Sequence, residues 1–188
     1  MLTDNNTLTI VVPEGQLWDE KKEEFIYINE TTLVLKHSLV SISKWESKWK
    51  KPFLSKEEKT NEEILDYVRC MTMTQNVDQN VYNFLSDSNV KEVTSYISDP
   101  MSATWFSKEN NASKANNREI ITSELIYYMM ISYNIPQEYQ KWHLNRLMTL
   151  IRICSIKNAP PKKMSKNEIL SRNAALNAAR KSKYGTKG

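Results

Sequence analysis

A mainly α-helical fold with a small β element at its start is what this 188-residue sequence predicts. Three observations lead there. The chain has only 3 glycines, at Gly15, Gly185 and Gly188, so the long interior favours helices joined by short polar turns. Apolar residues recur at helical spacing from Ser38 onward. Short β-branched and aromatic runs, by contrast, are confined to residues 1–36.

Three strands are expected in that first stretch: Thr7 to Val12, Phe25 to Ile28 and Thr32 to Leu35. Glu14-Gly15, after Pro13, reads as a turn. Three short strands must cover a helical core or pair with another subunit, and an uncovered edge invites self-assembly. The helical period then starts at Leu39, with Ile42, Trp45 and Trp49 on one stripe, and Pro52 stops it. A charged linker spans 55–60, and Thr60 with Glu62 and Glu63 forms a helix start favoured by capping and by the helix dipole. The helix that follows presents Ile64, Leu65, Val68 and Met71, with Met73 close behind. Shorter helices are expected over 79–85 and 89–97, ended by Asp99-Pro100. Residues 107–117 read as an exposed polar loop.

The stretch from Asn116 to Asn158 is expected to be a core antiparallel helical hairpin. Ile121, Leu125, Tyr128, Met129 and Ser132 share one helix face. Tyr139, Trp142, Leu144, Leu147, Met148, Leu150, Ile151 and Cys154 give the second helix a wide apolar face. Asn134-Ile135-Pro136 makes the short connection. After the stiff break at 159–163, Ser165 and Glu168 resemble a capping box, opening a basic helix with the thin apolar face Ile169, Leu170 and Leu176. From Lys157 on there are nine Lys/Arg against Glu168 alone, a charge of +8; the whole chain carries +4, so residues 1–156 carry −4. Three regions follow: a β element over 1–36, a helical core domain over 37–158, and a basic tail over 159–188 that folds on a partner or stays mobile.

Little in the sequence suggests catalysis. No cluster of glycines follows a strand to cradle phosphate. His37 and His143 read as hydrogen-bonded core histidines, and no Cys/His pair has metal-ligand spacing. Glu62, Glu63 and Asp66 read as ordinary solvated carboxylates at a helix start. Cys70 and Cys154 read as small core residues of a reducing compartment. No signal peptide opens the chain and no apolar run is long enough for a bilayer, so a non-enzymatic, cytoplasmic protein without cofactor or metal is expected. Lys44 to Lys51 interleaves lysines with Trp45 and Trp49, a pattern that could stack on bases, but helical spacing favours burial of both rings.

Residues 39–49 (Leu-Val-Ser-Ile-Ser-Lys-Trp-Glu-Ser-Lys-Trp) followed by Pro52-Phe53-Leu54, residues 141–152 from Lys141-Trp142-His143 to Ile151-Arg152, and the ending from Ser171-Arg172-Asn173 to Gly188 carry a resemblance. Together they resemble the tail assembly chaperones of long-tailed bacteriophages (siphoviruses). That resemblance implies a mainly helical protein of the infected bacterial host's cytoplasm. It would bind the tape measure protein and tail-tube subunits during tail morphogenesis without entering the finished virion, and would often exist in a short and a frameshifted longer form. The surfaces expected to serve partners are the methionine-rich and aromatic positions Met129, Met130, Trp142 and Met148, and the basic Arg172, Arg180, Lys181 and Lys183. Met71, Met73 and Met101 are further adaptable candidates. Alternatives kept open are a virion component such as a head–tail connector, and a nucleic-acid binder acting through the basic tail, the less favoured partner for an acidic body.

Overall fold

The start of the chain folds back on itself as one long antiparallel ribbon. A computed structural model describes residues 6–19, 23–106, 120–160 and 165–185. Strand β1 (Leu8–Val12) pairs with β4 (Thr31–Leu35), and β2 (Gly15–Asp19) pairs with β3 (Glu24–Ile28). The register runs unbroken through both ladders: Val12 faces Thr31, two residues intervene on each strand, and Gly15 faces Ile28. The gap falls at Pro13, which has no N–H to give a ladder.

Sequence reasoning had three strands and missed β2. Gly15 reads as a turn residue, yet its backbone is extended and its missing side chain serves packing. A Cβ there would stand 2.6 Å from Cδ1 of Phe84. The glycine lets an aromatic ring lie directly on the strand.

Helix α1 (Leu39–Trp49) is N-capped by Ser38 and ends at Lys50, which is left-handed at φ 54°. Helix α2 (Asn61–Met71) opens with a complete Thr60–Glu63 capping box. A 3₁₀ turn over Gln79–Phe84 leads to α3 (Asp87–Ser98), capped by Ser86 and Asn89. Helix α4 (Ser123–Ser132) follows. Its buried face is Ser123, Ile126 and Met130, not the Leu125–Tyr128–Met129 face expected from the sequence, and Tyr128 is exposed. The difference comes from its neighbour. Helix α4 packs on α1, and the expected α4–α5 hairpin is replaced by a longer excursion. Asn134 does end the helix in the left-handed region (φ 53°), but a 3₁₀ turn over Gln137–Lys141 and an extended Trp142 intervene before α5 (Leu144–Asn158).

One core unites the ribbon and the helices. Ile10, Val12, Leu33 and Leu35 from β1 and β4 meet Leu39, Ile42 and Trp45 of α1, Met71 of α2, Ile126 of α4, and Leu144 and Leu147 of α5. The outer edge of β4 is covered: the Lys36 N–H donates to Met71 O at 2.8 Å and the Met73 N–H to Val34 O at 2.8 Å. On the other edge Asn89 Nδ2 donates to Val11 O at 3.2 Å. These straps quench the edges on which a sheet would otherwise grow. Among the described residues, no backbone strap of this kind reaches β2 or β3.

The chain divides into two units, Met1–Cys154 and Ser155–Gly188. The second holds the last residues of α5 and helix α6 (Lys166–Tyr184), opened by a complete Ser165–Glu168 capping box and closed by left-handed Gly185. Every described residue from Ser165 to Gly185 is exposed. The expected polar loop at 107–117, and most of the expected break at 159–163, lie outside the described residues. No helix of the described residues is long and apolar enough to cross a membrane.

Candidate interaction surface

The two histidines meet inside the protein. The His37 and His143 rings lie 4.9 Å apart at their centroids, each edge-on to a tyrosine. His143 is wholly buried, and its Nε2 lies 3.0 Å from the carbonyl of Tyr96. A carbonyl only accepts, so Nε2 carries the proton, while Nδ1 accepts from the Asn145 N–H at 3.3 Å. His37 Nδ1 lies 2.5 Å from the Tyr67 hydroxyl. Tyr96 Oη accepts from the His37 N–H at 3.2 Å and donates to Asn6 O at 2.8 Å, and Asn6 Oδ1 accepts from the His143 N–H at 2.6 Å.

Burial pushes His37 down to about 3, with His143 adding to the effect, and burial lowers His143 as well. Burial likewise holds the Tyr67 hydroxyl well above its usual range. Both imidazoles are therefore neutral at pH 7 and out of reach of a substrate. This junction ties the β4–α1 corner to α2, α3 and the start of α5. The sequence expectation of core histidines describes it correctly, but nothing in the sequence paired them.

The Lys44–Lys51 segment is a clasp between α1 and α2. Trp45 Nε1 donates to Glu63 O and Trp49 Nε1 to Asp66 Oδ2, both at 2.8 Å. Lys48 and Lys51 reach Asp66 Oδ1 and Glu63 Oε1 at 2.5 and 2.6 Å. Trp45 is buried, and Trp49, half-buried, stacks on Trp45 at 6.2 Å with the Lys48 ammonium 5.6 Å from its ring centroid. The carboxylates correct the sequence reading: Glu63 and Asp66 are buried, not solvated. The hydrogen bond from Lys51 and those from Thr60 hold Glu63 below the usual carboxylate range. Glu46 is a third buried carboxylate, and it splits its oxygens between the Phe53 N–H (2.8 Å) and the Ser123 N–H (2.7 Å). Cys70 and Cys154 are free and half-buried, and burial, then Asp66, raises the Cys70 thiol. No group of three His, Cys, Asp or Glu among the described residues could hold a metal ion.

Exposed large apolar side chains occur at several places among the described residues, including Trp105, Tyr128 and Ile131, and three aromatic ones lie together on the outer ribbon. In β1 and β4 the pair Ile10–Leu33 faces the core; beyond the Pro13 break the inward pair is Gly15–Ile28, set against Phe84. Strict alternation would have kept Trp18, Phe25 and Tyr27 on the core-facing side. The switch at the break turns them outward instead. Trp18 and Phe25 face each other across the ladder at 4.9 Å, edge to face, and Tyr27 lies 6.2 Å further along. They are 47%, 51% and 69% exposed, and Leu17 on the other face is 45% exposed. Aromatic pairs of this geometry stiffen a ribbon, and clustered exposed aromatics mark interaction surfaces.

The residues expected to serve partners fare differently. Met130 is only 3% exposed and its side chain belongs to the core, which leaves it no surface for a partner. Met129 and Met148 are half-buried against that core. Trp142 stacks on Tyr139 at 4.0 Å, with Arg146 over its ring at 4.3 Å, so it is already occupied. Met71 is core, Met101 half-buried and Met73 exposed. Arg172, Arg180, Lys181 and Lys183 all lie on exposed α6. Met71, Met129, Met130, Met148 and Trp142 are thus buried or half-buried, whereas the four basic residues are exposed. Sequence reasoning missed the ribbon aromatics; the available signal was three aromatics within ten residues of a strand-forming stretch. Comparison with protein-family models, with curated proteins and with solved structures finds no match to this chain.

Proposed function

We propose that this protein acts in assembly through protein–protein contacts, as a tail assembly chaperone of a long-tailed bacteriophage that binds the tape measure protein and tail-tube subunits. The observation that carries the reading is the outward-turned Trp18–Phe25–Tyr27 face on a ribbon whose outer half no backbone strap covers among the described residues. A tape measure protein is a long helical chain with apolar stripes that aggregate alone, and a stiff aromatic surface can cover such a stripe at low entropic cost. The motif resemblance in 39–54, 141–152 and 171–188 supports the tail-assembly setting. Co-expression with the tape measure protein of the same phage tests it. The expected result is more soluble tape measure protein and co-elution of the two; unchanged solubility with no co-elution overturns the reading.

The ribbon also favours a second reading, a virion component such as a head–tail connector, because exposed strands can pair between subunits in a permanent ring. A mass-spectrometric inventory of finished particles separates the two. A chaperone is absent from the particle, and a connector is present in fixed copy number.

A further inference from the structure

We infer that helix α6 of one copy docks in the groove between α2 and α3 of a second copy, so that the protein self-associates head to tail. The groove holds a pocket of about 150 Å³ floored by Tyr67, Val68 and Val93, with Ile64 and Val90 exposed on its rim. That volume is the size of a benzene-holding cavity and far below that of a cofactor site, so it suits one large apolar side chain. Helix α6 offers such a side chain. Leu176 is exposed, and Ile169 lies seven residues before it on the same face. Ala175 and Ala179 beside it allow close approach of the helix backbone.

Charge selects the same pair of surfaces. Arg180 and Lys183 follow Leu176 by four and seven residues, so they share its face. Next to the pocket, Glu58 and Glu62 stand beside lining residues Lys59 and Leu65, and Asp87 lies one turn before Val90. All three carboxylates are on exposed residues. Lys59, its ammonium over the Phe53 ring at 4.9 Å, and exposed Lys91 beside Val90 offset part of that charge, and the three carboxylates outnumber these two cations. An anchor in the pocket with cations at an acidic rim is the usual anatomy of a modest, salt-sensitive interface. Because donor and acceptor surfaces differ, the contact is heterologous and builds rings or open chains rather than a closed two-fold dimer.

Sedimentation velocity on the full chain over a wide concentration range, at low and high salt, tests the inference. The wild type is expected to associate with rising concentration, several-fold more weakly at high salt. Leu176→Asp and Val90→Lys, both at exposed positions, are each expected to weaken association by about tenfold or more while circular dichroism and thermal midpoint stay unchanged. Glu62→Lys is expected to weaken it and Arg180→Glu, added to Glu62→Lys, to restore part of it. A wild type that stays monomeric overturns the inference, as does association that survives either Leu176→Asp or Val90→Lys. The result stands apart from the chaperone reading, since a monomer can still bind the tape measure protein.

Discussion

His37 is one of the groups through which acid acts on the fold. Its imidazole is buried against His143 and Tyr67, and its folded value sits near 3, against 6.5 when unfolded. Below pH 6.5 the unfolded chain therefore binds protons that the folded chain refuses, so stability is full above that pH and is lost progressively as pH falls toward 3. The thermal midpoint should drop between pH 7 and pH 5, and the drop should shrink in His37→Gln; equal pH slopes in both proteins would contradict this account. Asp66 makes a second expectation at this scale. Its Oδ2 is the acceptor for the Trp49 indole N–H, so Asp66→Ala leaves that half-buried donor without its acceptor, at a cost of about 1–3 kcal/mol. A chemical denaturation midpoint unchanged by the substitution would show the clasp to be dispensable. Neither residue advertised its role. His37 and His143 are 106 positions apart in sequence, and only the tertiary fold brings them together. Glu63 and Asp66 sit in a helix start whose composition looks solvated until α1 is laid across it.

At the scale of elements, local chemistry was the legible part. Pro52 follows the end of α1, Thr60 with its first-turn glutamates opens α2, Ser165 with Glu168 opens α6, and each of these boundaries lies where the sequence signal puts it. What failed were the long-range decisions. Helix α4 buries Ile126 and Met130 because α1 is its neighbour, and no local pattern could reveal that choice. Strand β2 was hidden because Gly15 reads as a turn while its function is to admit the Phe84 ring. That gives a prediction: Gly15→Ala must displace the ring and should cost about 1–3 kcal/mol in equilibrium unfolding. A Gly15→Ala variant as stable as wild type would mean that Phe84 does not hold the ribbon down. Lys50 points the other way, since it adopts a left-handed conformation that favours glycine. Lys50→Gly should raise stability by a few tenths to about 1 kcal/mol, read as a small rise in thermal midpoint; a fall would contradict the strain argument.

For the whole molecule, the division at Cys154–Ser155 separates a body with one continuous core from a basic helical unit. Truncation after Asn158 should therefore keep cooperative thermal unfolding with a midpoint close to that of the full chain; a broad, non-cooperative melt would show that the body needs the tail. The candidate site was partly legible at this scale. The basic residues of α6 were visible from charge alone, but the ribbon aromatics were not, because their exposure depends on the change of inward face at Pro13. Assembly through that ribbon depends on its aromatic face, and one variant removes that face. Trp18, Phe25 and Tyr27 would be replaced together by Ser, Thr and Thr, and the variant co-expressed with the tape measure protein. The account predicts a folded protein with near-wild-type far-ultraviolet circular dichroism that no longer co-purifies with the tape measure protein. Undiminished co-purification by that folded variant would contradict it and move the contact surface elsewhere.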